Sequence, residues 1–229
     1  MRRNFTLVEI LVVLGLMAIL LFIALPAFEK LAKGHGVELA ARNLTSKLGM
    51  ARGYAITSRE YVAVLMPTAN STTPALSSNP VLPNDYAFKG YKLCIVTAGN
   101  TSPFVFKRWI PSEKWEFTPS GTAINDIISG GTPHLVGTKS DWTSALLEVV
   151  DGVSLKELSP TSTTYDTVNN VRAIVFKPTG KMATSVSGNR YVAVSESTYN
   201  GNALIATNPQ NWLDIIIDQF TGRVTYGAE

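Results

Sequence analysis

The chain begins with an unbroken apolar stretch that has the length of a membrane span. From residue 10 to residue 25 every position is apolar or glycine. As a helix, residues 5–25 extend about 31 Å, which matches the roughly 30 Å hydrocarbon core of a bilayer. The stretch is longer than the apolar region of a cleaved secretory signal, and it continues through Pro26. We predict a membrane-spanning helix, and Arg2 and Arg3 ahead of it place the N-terminus in the cytoplasm and the rest of the chain outside.

Glu9 is the charged residue inside this stretch. A carboxylate at the middle of a bilayer costs roughly 3 kcal/mol on insertion scales, and less near the edge. Three interpretations fit: the side chain extends back to the cytoplasmic headgroups, it stays protonated, or it meets a positive partner in a protein assembly. Its position, four residues after Phe5, favours the first.

Beyond Pro26 the pattern changes to that of an amphipathic helix. Apolar residues recur at spacings of 4, 3, 4, 3 and 4, which predicts a helical stripe packed on a sheet of the same chain: Val37, Ala41, Leu44, Leu48, Ala51 and Ala55. We interpret the opposite side as a solvated face, carrying Glu38, Arg42, Lys47 and Arg52. Pro26 predicts a bend or a local loosening of the helix, and Gly34 and Gly36 predict a break or flexible point.

The remainder alternates between runs of β-branched or aromatic residues and segments rich in turn residues, as is typical of strands joined by loops. Strands are predicted at residues 60–66, 91–97, 104–110, 145–151, 171–177, 190–196, 212–218 and 223–226. Two glycine-bearing segments, KPTGK at 177–181 and DQFTGR at 218–223, predict hairpin turns. Long loops are predicted at residues 67–85, 119–142 and 159–170.

Charge and composition offer few candidates for chemistry. The formal net charge is +3, and Arg2 and Arg3 supply two of those charges, so the body has no strong attraction for nucleic acid. The single cysteine, Cys94, lies in an apolar run and is expected to be a buried hydrophobic residue. His35 and His134 have no neighbours at metal-ligand spacing, and no nucleophile, phosphate-loop or dinucleotide motif is present. We therefore expect no enzymatic activity, no metal and no cofactor.

The segment FTLVE, followed by an apolar helix and a proline, resembles the N-terminal signature of type IV pilins and type II secretion pseudopilins. The resemblance implies that a prepilin peptidase removes residues 1–4 by cutting between Asn4 and Phe5, and that the amino group of Phe5 is methylated. It also implies that the helix packs into a filament core, where Glu9 pairs with the amino terminus of a neighbouring subunit. Pro26 matches the family's helix-kinking proline.

One residue departs from that family pattern. The family nearly always has glycine immediately before the cut, whereas this chain has Asn4. Either the peptidase accepts asparagine here, or the leader is removed slowly or retained.

A second segment resembles the minor pilins and pseudopilins of the GspH/FimT type. The pair Ala51–Arg52, followed by Ala55–Ile56 and a valine-rich strand, matches the end of that family's helix. The segment VFKPTGK matches its strand–Pro–x–Gly hairpin.

Some FimT-like proteins bind DNA through a Gly-Arg-x-Arg loop. This chain has Gly222 and Arg223, but Thr225 stands in place of the second arginine. Arg223 is therefore the candidate nucleic-acid contact, although nucleic acid is not an expected partner.

Together the patterns and the resemblance predict an α+β, pilin-like fold, in which a long N-terminal helix packs on an antiparallel β-sheet or β-sandwich head. The predicted parts are a leader at residues 1–4, a transmembrane or filament-core helix at 5–26, an amphipathic helix at 27–58 and a β-rich globular head at 59–229.

The resemblance implies a structural subunit, a minor pilin or pseudopilin, of a type IV pilus or a type II secretion pseudopilus. Its implied partners are itself and other pilins, the prepilin peptidase, the inner-membrane assembly machinery and the lipid bilayer. The helix would hold it in the inner membrane, with the head periplasmic or extracellular. Two alternatives stay open: a DNA-binding minor pilin for DNA uptake, and a single-pass membrane-anchored protein that never assembles.

Overall fold

The computed structural model describes residues 7–68, 82–99, 102–126, 136–138, 147–154, 167–184, 188–201 and 203–227. Of residues 23–34, 125–126, 136–138, 203, 209 and 227 it describes the backbone alone. In this part of the chain one long helix precedes strands that form two larger sheets and one small one. The predicted α+β class, with an N-terminal helix and a β-rich head, is confirmed.

Helix α1 covers Leu7–Ser58, 52 residues, without interruption. The helix therefore has no break at Gly34 or Gly36, and the alternative, a flexible point there, stays a prediction. Packing instead explains why glycine stands at position 36, because a Cβ there would lie only 3.3 Å from Cγ2 of Thr122 in the head. The helix also runs through Pro26.

The end of α1 is marked by a change in backbone conformation. The hydroxyls of Thr57 and Ser58 donate to the carbonyls of Gly53 and Tyr54, one turn back. Arg59 follows in the left-handed region, with φ 55°. A left-handed residue cannot continue a right-handed helix, so the chain turns here into the first strand.

Five strands close into a small barrel. They are β1 (Tyr61–Met66), β2 (Gly90–Val96), β3 (Phe104–Trp109), β7 (Glu148–Asp151) and β10 (Val171–Phe176), and β4 (Glu116–Phe117) extends β2. The order is β1–β10–β7–β3–β2, and β2 pairs back with β1. The β3–β7 pair is parallel and the others are antiparallel. The predicted antiparallel sheet or sandwich is therefore corrected to a closed, mixed barrel beside a second sheet.

The second sheet is antiparallel, with the order β13–β12–β11–β5. Its strands are β5 (Thr122–Asp126), β11 (Arg190–Tyr199), β12 (Ala203–Ile217) and β13 (Val224–Gly227), and β6 (Val136–Thr138) also pairs with β12. A short 3-10 helix covers Asn84–Tyr86, and β8 (Val153–Ser154) pairs with β9 (Thr167–Val168). Helix α1 packs on β1 and β10 of the barrel and on β5, β11, β12 and β13 of the second sheet.

Strand β1 shows how the core is divided. Val62 and Val64 face the helix and belong to the cluster that joins α1, the barrel wall and the second sheet. Ala63 and Leu65, on the other side of the strand, fill the barrel interior together with Cys94. Both faces of β1 are buried, so its sequence is a continuous apolar run rather than an alternating one.

All eight predicted strands are confirmed, although residues 145–146 lie outside the described residues. The last long strand is underestimated, since β12 begins at Ala203. The predicted loops at 119–142 and 159–170 are wrong in part, because they contain β5, β6 and β9. Those strands are short or lack the β-branched runs that the prediction relied on.

Candidate functional site

The N-terminal part of α1 projects its apolar side chains into solvent. All sixteen residues 7–22 are exposed. Their large apolar side chains range from 51% exposure at Val13 to 81% at Phe22. Soluble monomers rarely expose contiguous apolar surface on this scale, so the segment needs an apolar environment from a membrane or another protein.

Glu9 lies within this exposed segment, in the first turn of α1. It lines a shallow groove of about 280 Å³ with Ile10, Val13 and Leu14.

The other candidates of this region are less completely described. Asn4 and Phe5, the predicted cleavage and methylation residues, lie outside the described residues. For Pro26 only the backbone is described. Among the described residues, no helix combines the length and apolarity that a membrane span requires.

The C-terminal part of α1 is docked on the head through the predicted stripe. Val37 is 1% exposed, and Ala41, Leu44, Leu48, Ala51 and Ala55 are fully buried. Glu38 and Arg42 are exposed as predicted. We call the exposed residues 7–22 the bare part of α1, and residues 35–58, which pack on the head, its docked part.

Lys47 contradicts the predicted solvated face. It is 4% exposed, and its Nζ lies 2.5 Å from Oε2 of Glu113 and 2.6 Å from Oε1 of Glu116. Burial acts to lower the pKa of Lys47, but the hydrogen bonds and charges of the two carboxylates outweigh it and raise the pKa. The sequence did carry the signal, because Lys47 follows Leu44 by three residues and precedes Ala51 by four, which places it on the stripe side.

Arg52 is also turned toward the head. Its Nε donates to the carbonyl of Thr221 at 3.0 Å and to that of Gly180 at 3.3 Å. These carbonyls belong to the two predicted hairpins, which lie side by side: a Cβ on Gly222 would overlap the carbonyl oxygen of Gly180. Three segments that the sequence singled out separately, Ala51–Arg52, KPTGK and DQFTGR, therefore meet in one place.

Arg223, the candidate nucleic-acid contact, is exposed at the start of β13. It lines a groove of about 320 Å³ with Asn189, Ile216, Asp218 and Thr225. Hydrogen bonds from Thr221 and Phe220 hold the pKa of Asp218 below its usual value. A carboxylate therefore shares the groove with the guanidinium, which weakens any attraction for a polyanion.

The remaining candidates for chemistry are dispersed. The thiol of Cys94 is fully buried, and burial raises its pKa. His35 is exposed on α1, and His134 lies outside the described residues. Across the described ranges no three His, Cys, Asp or Glu side chains converge as metal ligands.

Neither a protein-family model nor a curated protein matches the chain. A solved structure that matches is the type IV minor pilin FimU of Pseudomonas aeruginosa, with 13% sequence identity and a TM-score of 0.36. The match covers 84% of this chain and 87% of FimU. A TM-score this low assigns neither a family nor a function.

Proposed function

We propose that this protein is a membrane-anchored structural subunit that assembles into a filament by packing its N-terminal helix against other subunits. The observation that carries the proposal is the exposed apolar surface along residues 7–22 of α1, which contains Glu9. This surface surrounds the helix and is continuous, through the same helix, with a folded head.

An apolar surface on every side of a helix suits two environments. Before assembly, lipid would cover the segment, with the N-terminus in the cytoplasm and the head in the periplasm. After assembly, the equivalent segments of other copies or other pilins would cover it. In the filament Glu9 would pair with the amino group of Phe5 on an adjacent subunit, because a carboxylate buried among apolar side chains needs a cationic partner.

The finer assignment follows the sequence resemblance. We propose a minor pilin or pseudopilin of the GspH/FimT type, processed by a prepilin peptidase between Asn4 and Phe5 and assembled by inner-membrane machinery. The role is structural rather than enzymatic. DNA binding through Arg223 is not part of the proposal, since Asp218 lies in the same groove.

The proposal is tested by incorporation of the full chain into filaments in its native host. Glu9→Ala should lower the amount recovered in sheared filaments by about tenfold or more, because one desolvated charge pair is lost. Glu38→Ala is the matched control: it removes an exposed carboxylate from the docked part of the same helix and should leave incorporation unchanged.

Each other outcome has a definite meaning. Normal incorporation of Glu9→Ala would show that Glu9 has no role in assembly. Wild-type protein that stays in the membrane fraction and never enters filaments would favour the non-assembling, single-pass alternative.

The mass of the intact protein from membranes and from filaments tests the processing step. We expect a chain that begins at Phe5 and carries one methyl group. A mass that retains residues 1–4 in assembled filaments would show that cleavage is not needed, and Glu9 could not then pair with an amino group at Phe5.

A further inference from the structure

The two hairpin turns at 177–181 and 218–223 belong to different sheets. The first follows β10 of the barrel, and the second joins β12 to β13. Their tips are nevertheless in direct backbone contact. A Cβ added at Gly222 would overlap the carbonyl oxygen of Gly180. Both glycines have positive φ, 78° at Gly180 and 64° at Gly222, so side chains are disfavoured at both tips on two grounds.

A direct backbone bond also joins the two turns. The N–H of Met182, just after the first turn, donates to the carbonyl of Gln219 in the second at 3.3 Å. Each turn is closed internally as well: the N–H of Gly180 donates to Lys177 and that of Gly222 to Asp218, both at 2.8 Å. These amide hydrogens are therefore reporters of whether each turn is closed.

Helix α1 contributes the third part of this arrangement. The Nε–H of Arg52 is shared between one carbonyl of each turn. One turn further along the helix, Ile56 fills the space beside Gly180, since Cδ1 would lie 2.9 Å from a Cβ at that glycine. If either turn moves away, Arg52 loses one acceptor and the other turn loses its neighbour.

We infer that Arg52, Gly180 and Gly222 form a latch that makes the last turns of α1 and the two hairpins open and close as one unit. Local openings of proteins occur in such contiguous units, with free energies below that of global unfolding. The latch joins the barrel, the second sheet and the helix at the end of α1 that lies farthest from the exposed apolar segment. It is independent of the filament role proposed above.

Hydrogen exchange of the full-length protein in detergent, resolved by mass spectrometry of peptides, tests this coupling. In Arg52→Met, peptides that contain Gly180, Gly222 and the end of α1 should exchange faster together, by about tenfold, because a part-buried hydrogen-bond donor is lost. Peptides from β1 and β2 should not change. Lys47→Met is the matched control, since it removes a second cation that contacts the head and should accelerate exchange near Glu113 and Glu116 instead.

A second variant approaches the latch from the opposite side. Gly222→Ala should accelerate exchange in the 177–182 turn, although the substitution lies in the other sheet. Arg52→Lys, which keeps a donor on a different stem, should give a smaller acceleration than Arg52→Met at all three sites. Acceleration confined to the substituted element in Arg52→Met or Gly222→Ala would overturn the latch.

Discussion

Two parts of the same helix place apolar residues in opposite relations to water. Along residues 7–22 apolar side chains surround the helix and are exposed, whereas along residues 35–58 most of them form one stripe that is buried against the head, and Leu39, Met50 and Ile56 are exposed. A one-sided stripe is satisfied by one sheet, but a helix that is apolar all round requires apolar partners on all sides. The apolar stripe of the docked part is therefore covered by the protein's own head, whereas the apolar surface of the bare part needs other molecules to cover it.

The largest expected effect separates the two parts with one chemical change. Leu44→Ala removes a fully buried side chain and should lower the free energy of unfolding by about 3 kcal/mol. Leu14→Ala removes a side chain that is 60% exposed and should change it by less than about 0.5 kcal/mol. Denaturant unfolding of the full chain in detergent, followed by tryptophan fluorescence, measures both.

Equal effects of Leu44→Ala and Leu14→Ala would contradict the comparison. They would mean that the bare part of α1 also contributes to the fold of the head. If Leu14→Ala lost filament incorporation without losing stability, the bare part would behave as an intermolecular surface, and the comparison would be strengthened.

The strand runs and the buried stripe were predictable because they depend on local period. Closure of the barrel was not, since it depends on the parallel β3–β7 pair, whose strands are about forty residues apart in the sequence. The mixed topology leaves no local signal, because β3 lacks the continuous apolar run that is typical of a parallel strand: its Val105, Lys107 and Arg108 are exposed.

The site was predictable to a similar extent. The exposed apolar segment and Glu9 follow from the sequence directly. The position of Lys47 on the stripe side was also readable, but its partners were not, since Glu113 and Glu116 lie 66 and 69 residues away. The meeting of Arg52 with two hairpins depends on how two sheets pack, which no single segment encodes.

The next largest effect concerns Lys47. Lys47→Ala leaves the carboxylates of Glu113 and Glu116 close together without their cation, and should lower the free energy of unfolding by about 2 kcal/mol. This is less than for a fully buried pair, because Glu116 is partly exposed. Arg42→Ala is the control on the exposed face of the same helix and should have almost no effect. If Lys47→Ala lowered the free energy of unfolding no more than Arg42→Ala does, Lys47 would behave as a surface cation.

The pH dependence of stability follows from the raised pKa of Lys47. The folded state holds this proton more tightly than the unfolded state, so the contribution is complete below the ordinary pKa near 10.5. It should be lost progressively as the pH rises above 10.5 and through the folded pKa. Unfolding measured from pH 8 to pH 12 should show this loss in the wild type and a weaker dependence in Lys47→Met. Identical pH dependences of stability in the two proteins would show that Lys47 is not the group responsible.

The smallest expected effect is a gain, and it distinguishes two glycines of the docked part. A Cβ at Gly53 would meet nothing within 4 Å, so Gly53→Ala should raise the free energy of unfolding by about 0.5–1 kcal/mol through helix propensity. At Gly36 the new Cβ would press on Thr122, so Gly36→Ala should bring no gain or a loss. Both are measured by denaturant unfolding of the full chain. Because the head does not need glycine at 53, a stabilised Gly53→Ala variant that no longer enters filaments would extend the intermolecular surface from the bare part of α1 onto its docked part.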